Sequence, residues 1–231
     1  MPAESALRDG TAAGFELIET LRWEPGEGLV RLARHLARLH ASAHDLGFAA
    51  DPEAIGDALR ECRGEHVPLR VRLTLARDGK VDATTVPYEP LPKDAVWTLR
   101  IAGTRIDSGD PLLRHKTTRR KVYDAARAEF PRDETDEVLL LNERGEVCEG
   151  TITSVFVDCG DGMLLTPPLR CGLLSGVFRG EMIEQGKARE AALTEAELRA
   201  AKAVFVGNSL RGLIRGRLAY EPDIAVEPPA G

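Results

Sequence analysis

Hydrophobic positions change their spacing several times along the chain, and each change marks an element. GFELIETLRW reads as a strand, EPGEG as a turn, and RLARHLARLHASAHDLGF as a helix closing near Gly47. Leu32, Leu36, Leu39, Ala43 and Leu46 stand three or four residues apart and form its core-facing stripe. A second face of the same helix carries Arg31, His35, Arg38 and Ser42. DPEAIGDALREC is predicted as another helix. PLRVRLTLARDGKVDATTVPY alternates apolar and polar residues around R-D-G-K, as a hairpin does.

In the second half, RHKTTRRKVYDAARAEF is predicted to be helical, with Val122, Ala125, Ala126 and Phe130 at helical spacing. DEVLLLNERGEVCEGTITSVFVDCGDGMLLTPP reads as a meander of strands turning at N-E-R-G and C-G-D-G. A glycine-rich loop in LRCGLLSGVFRGEMIEQGKA then runs into a helix, with Ser175 the expected N-cap. Thr194 and Glu197 have capping-box spacing, and AVFVGNSLRG is the expected final strand, leading into a polar loop. The class is α+β. A boundary near IAGTRIDSGDPLL divides it into a small N-terminal α/β domain, 1–106, and a larger strand-rich domain, 107–231.

Composition narrows the function. The 231 residues are 43% hydrophobic and 29% charged, enough to bury a core and contrary to a disordered or fibrous chain. A net charge of -6 argues against nucleic-acid binding but leaves room for an anionic small molecule in a local cationic pocket. No window approaches a membrane span and the start lacks signal-peptide order, so a soluble, cytoplasmic protein without a membrane partner is expected. Cys62, Cys148, Cys159 and Cys171 make no C-x-x-C pair, and His40 and His44 lack the glutamate of a zinc helix, so no metal is expected.

Three features could carry chemistry. GLLSGVFRG before a helix is either a phosphate cradle or a simple turn. Lys116, among Arg114, Arg119, Arg120 and Lys121, is either an amine activated by a positive field or part of a solvated basic face. Glu149, followed by Gly150, Thr151 and Thr153, is either a site carboxylate or a turn residue.

Their order and wording resemble the class IV, or fold type IV, family of pyridoxal phosphate enzymes. RLARHLARLHASA is similar to the family's H-x-x-R-L segment, HKTTRRKVYDAAR to its lysine segment, EVCEGTITSVF to its E-G-x-x-x-N-x-F strand pair, and CGLLSGVFR to its G-x-x-x-G-[VI]-x-R loop. The resemblance runs from about Phe15 to Arg215. It implies a two-domain homodimer with pyridoxal 5'-phosphate between the domains. Lys116 would join the cofactor aldehyde and later move the proton, and Glu149 would face the pyridine nitrogen. Arg38, Thr153, Ser209 and the backbone at Val177 and Phe178 would hold the cofactor, chiefly at its phosphate.

The chain departs from the family pattern in being short, in having Ser154 where asparagine is common, and in having Phe178 where threonine is common. GNSLRG, residues 207–212, is similar to the loop of the aminodeoxychorismate lyase branch and unlike the T-G-T-A-A loop of branched-chain aminotransferases. The resemblance therefore implies a lyase giving 4-aminobenzoate and pyruvate, with an aminotransferase for branched-chain or D-amino acids as the alternative. Asn208 and Arg211 become candidates for an anionic amino substrate, although Arg211 also reads as a surface arginine or a structural ion pair. A chain that kept the fold and lost catalysis is a third reading, opposed by the retention of both Lys116 and Glu149.

Overall fold

The computed structural model describes residues 14–160 and 162–219. A four-stranded antiparallel sheet has the order β2-β1-β3-β4, built from β1 (Leu17–Glu24), β2 (Gly28–Leu29), β3 (Leu69–Leu75) and β4 (Val81–Pro87). Strict alternation in LRVRLTL puts Leu69, Val71, Leu73 and Leu75 on the buried face, and R-D-G-K turns the chain with Gly79 at φ 91°. Against this sheet pack α1 (Leu32–Leu46) and α2 (Pro52–Glu61). Gly47 ends α1 at φ 70°, a left-handed value that glycine adopts without strain. Asp51 begins α2 by accepting the Glu53 backbone N–H, with Pro52 in the first turn.

The second sheet has eight strands: β5 (Val96–Ile106), β6 (Glu137–Asn142), β7 (Val147–Gly150), β8 (Ser154–Asp158), β9 (Leu164–Thr166), β10 (Ala188–Glu190), β11 (Ala203–Asn208) and β12 (Gly212–Leu218). Their order is β10-β9-β8-β11-β12-β5-β6-β7, and an additional β7–β8 pairing at Glu149↔Ser154 closes six of them into a barrel-like ring. Around it lie α3 (Lys121–Ala128), α4 (Val177–Glu184) and α5 (Glu195–Ala200), the last started by the expected capping box.

Three expectations change. The helix of the lysine segment starts only at Lys121, leaving residues 115–120 outside it and Phe130 beyond its end. Gly176, not Ser175, is the N-cap of α4, with no side-chain capping bond. AVFVGN is not the final strand, because RGLIRGRL turns back as β12 and pairs with it. The segment IAGTRI is the end of β5 and pairs in parallel with β6, and the change from one sheet to the other falls within residues 88–95. The β5–β6 pairing is non-local and leaves no mark on local spacing, whereas β11 and β12 form a hairpin.

Candidate active site

Lys116 sits where the two sheets meet. Its carbonyl accepts the Ile18 N–H at 2.8 Å, Thr118 N–H donates to Glu16 O at 2.9 Å, and Glu16 N–H donates to Thr118 Oγ1 at 2.9 Å. This short pairing with β1 holds the segment extended and directs Lys116 to a cavity of about 590 Å3, within the range of cofactor sites. Of the surrounding cations, Arg119, Arg120 and Lys121 also line the cavity. Burial, reinforced by Arg38 and opposed by Glu19 and Glu149, lowers the Lys116 amine to about 8.

Glu149 lies at the end of β7 and is 5% exposed. Its Oε1 accepts the Tyr123 hydroxyl at 2.7 Å and the Leu174 N–H at 3.0 Å. Burial raises its carboxyl to about 7, against the pull of those two donors, Lys116 and Arg120. The turn that follows is organised from beneath by Glu137, which is fully buried. Glu137 accepts from Val138 N, Thr151 N, Thr151 Oγ1, Ile152 N and Thr153 Oγ1. A Cβ at Gly150 would lie 2.7 Å from Glu137 Oε2, so this close approach requires glycine. Thr153 lines the cavity, but its hydroxyl donates to Glu137.

The opposing donors come from α1, the start of α4 and the loop after β11. Arg38 Nε donates to Glu19 Oε1 at 2.8 Å, a terminal nitrogen to Glu19 Oε2 at 2.6 Å, and the other to Ser175 O at 3.0 Å. Ser209 Oγ lies 2.8 Å from His35 Nε2, and His35 Nδ1 lies 2.7 Å from Glu19 Oε2. Val177 and Phe178 open α4, whose first N–H groups have no partner within the helix. The Phe178 ring packs edge-on against Phe156 at 5.9 Å, with the Arg31 guanidinium 5.1 Å from its centroid. Phe178 thus serves packing where threonine would offer a hydroxyl. Ser154 fits beneath Gly176, where a Cβ would come within 2.6 Å of its Oγ.

Arg31 itself, just before α1, is the one non-glycine residue at positive φ among those described, 58°. Its side chain pairs with Glu181 at 2.7 Å and donates to Ser209 O at 3.3 Å, tying α1 to α4 and the loop.

Asn208 accepts the N–H groups of Leu210 and Arg211 at 3.1 and 2.9 Å and donates to Ile152 O at 3.1 Å. Its side chain shapes the turn, and the turn presents Arg211 to the cavity, 5.6 Å above the Trp97 ring. Arg70 on β3 joins Arg211 and Arg119 in the lining, and among the described residues none of the three forms an ion pair.

Sequence reading singled out neither Glu19, Glu137, Tyr123 nor Arg70. Glu19 had a detectable signal: with Leu17 and Leu21 it occupies the buried face of β1, where an unpaired carboxylate would be costly. His40 and His44 do not converge with other ligands, and among the described residues no cluster of His, Cys, Asp and Glu is arranged to hold a metal. Cys62, Cys148 and Cys171 are buried, Cys159 is exposed, and all four are free thiols.

One cavity therefore joins a lysine of depressed pKa, a buried carboxyl and a set of anion donors. That donor set matches the aldehyde, ring nitrogen and phosphate of pyridoxal 5'-phosphate. Residues 16–218 match the family "Amino-transferase class IV". The chain belongs to this family. It is accordingly a pyridoxal-phosphate enzyme of fold type IV. A Schizosaccharomyces pombe protein named "Putative aminodeoxychorismate lyase" is 33% identical over 217 residues, 91% of this chain and 93% of that one. A crystal structure of a "Putative amino-acid aminotransferase" from Mesorhizobium loti has a TM-score of 0.84 at 56% identity, covering 89% of this chain and 100% of that one. The 4-amino-4-deoxychorismate lyase from Pseudomonas aeruginosa gives 0.75 at 26%, covering 91% and 85%. No helix among the described residues is long and apolar enough to cross a membrane.

Proposed function

We propose that this class IV enzyme is a 4-amino-4-deoxychorismate lyase that releases 4-aminobenzoate and pyruvate. The observation that carries the proposal is the set Arg70, Arg119 and Arg211, three guanidinium groups lining one cavity with no ion pair among the described residues. A substrate with two carboxylates satisfies them, whereas an aliphatic side chain gains nothing from them. The likeness to the Schizosaccharomyces pombe protein, over nearly the whole of both chains, supports the same reading.

In this reading Lys116 would hold the cofactor at its aldehyde and Glu149 would hold a proton at its pyridine nitrogen. Arg38, Ser209 and the backbone N–H groups at Val177 and Phe178 would bind the phosphate. The bound cofactor supplies an electron sink for negative charge beside the substrate nitrogen. Lys116 Nζ, held near neutrality by burial, takes the ring proton as pyruvate leaves and the ring becomes aromatic. Arg211 and Arg70 orient the substrate carboxylates, and Asn208 orients Arg211. The family likeness supports a homodimer of two-domain subunits.

An aminotransferase is the second reading, favoured by the 56% identity to the Mesorhizobium loti protein. Purified protein with pyridoxal phosphate is given enzymatically made aminodeoxychorismate, beside a panel of L- and D-amino acids with 2-oxoglutarate or pyruvate. Equal yields of 4-aminobenzoate and pyruvate, lost in Lys116→Ala, support the lyase. Glutamate or alanine from the panel without 4-aminobenzoate overturns it.

A further inference from the structure

Glu19 is 2% exposed and His35 1% exposed, yet neither touches the position proposed for the reacting atoms. A buried carboxylate is expensive unless its partners compensate fully. Burial opposes ionisation of Glu19, but Arg38 and His35 overcome it and bring the carboxyl down to about 2. One ionised group thus serves two donors: Arg38 directly and Ser209 through the imidazole.

The proton positions follow from this geometry. An ionised Glu19 only accepts, so His35 Nδ1, 2.7 Å away, carries a hydrogen. If Nε2 were bare, it would accept the Ser209 hydroxyl hydrogen, and Ser209 could only accept elsewhere. With hydrogens on both ring nitrogens, Nε2 donates to Ser209 Oγ at 2.8 Å, and the hydroxyl hydrogen is released to point at an anion. The charged groups around this imidazole are Glu19 on β1, Arg31 just before its helix and Arg38 on it, Glu181 on α4, paired with Arg31, and Lys116 lining the same cavity.

We propose that Glu19 and His35 form a relay in which His35, anchored by Nδ1–H on Glu19, gives an Nε2 hydrogen to the Ser209 oxygen and turns the Ser209 hydroxyl into a donor for the cofactor phosphate. His35 is therefore a positioning residue. The inference rests on the reading of Ser209 and Arg38 as phosphate ligands.

The test compares affinity for pyridoxal 5'-phosphate with affinity for pyridoxal, which lacks the phosphate, by visible absorbance at one fixed pH. Ser209→Ala and His35→Leu are each expected to lower the preference for the phosphorylated form about tenfold, and the double variant to lose no more than either alone. Losses that multiply in the double variant overturn the relay. If Arg38→Ala lowers the preference while His35→Leu does not, the relay fails and the phosphate site stands. If Arg38→Ala and Ser209→Ala both leave the preference unchanged, the phosphate site and the relay fall together. Glu19→Gln is expected to behave as His35→Leu with an added loss through Arg38. Should it fail to fold, His35→Leu decides, because it leaves the Glu19–Arg38 pair in place.

Discussion

The Tyr123 hydroxyl donates to Glu149 Oε1 at 2.7 Å and is the only side-chain hydroxyl bonded to that carboxylate among the described residues. Tyr123 belongs to α3 and Glu149 to β7, so this bond links the helix after the lysine segment to the strand bearing the carboxylate. The bond favours the ionised acid, while burial favours the neutral one. Removing it in Tyr123→Phe should raise the Glu149 carboxyl further above 7 and cost about 1 to 2 kcal/mol in urea denaturation at pH 8. An unchanged unfolding midpoint would contradict this.

The raised carboxyl also makes stability depend on pH. Glu149 is near 7 when folded and near 4.5 when unfolded, so the advantage of its neutral form is present below pH 4.5 and lost as pH rises through 7. Glu149→Gln keeps an oxygen to accept from Tyr123 and Leu174 without that loss. Denaturation of the cofactor-free protein should show the variant gaining on the wild type by on the order of 2 kcal/mol between pH 4.5 and 8. Parallel pH profiles would sink the assignment.

Lys116, near 8 rather than 10.5, should be unusually reactive at moderate pH. Its folded value lies below its unfolded one, so the neutral amine predominates above pH 8. Borohydride fixation of pyridoxal phosphate, followed by peptide mass spectrometry, should place the adduct on Lys116 and rise to a plateau just above pH 8. A yield still climbing toward pH 10.5 would show an ordinary solvated amine.

Arg211→Ala and Arg70→Ala should each raise KM for the anionic substrate by about ten- to a hundredfold, the scale of a lost charged hydrogen bond, with a smaller effect on kcat. Steady-state kinetics with aminodeoxychorismate checks this. Unchanged KM in both variants would remove the main support for a dicarboxylate substrate.

Glu137→Ala is expected to be the most destabilising single change near the site. It would strand the buried donors of Thr151 and Thr153 at a cost of roughly 3 kcal/mol or more, whereas Thr151→Val removes one donor and costs about 1. Thermal unfolding of the two variants side by side gives the ordering, and equal losses would show that Glu137 does not organise the turn.

Several of these residues could be read in advance because their signals are local. The α1 stripe, its Gly47 stop, the Thr194–Glu197 box and the turn at Gly79 depend on neighbours within a few positions, so spacing alone exposed them. Lys116 and Glu149 stood in motifs whose order was legible along the chain. Ser175, by contrast, had the right chemistry for a cap, but the chain enters α4 through Gly176, pressed against Ser154 from another strand.

The amino-acid sequence by itself determined the elements, the mixed α+β class and the family whose motifs it carries. Only the tertiary structure decided that the β7–β8 pair closes a barrel-like sheet and that Glu137 holds the turn beyond Glu149. It also decided that Glu19 joins Arg38 to a serine 174 residues beyond His35. The physical reason is burial: the worth of a carboxylate, an imidazole or an amine depends on how far water is removed and which distant charge replaces it, and neither is encoded in spacing along the chain.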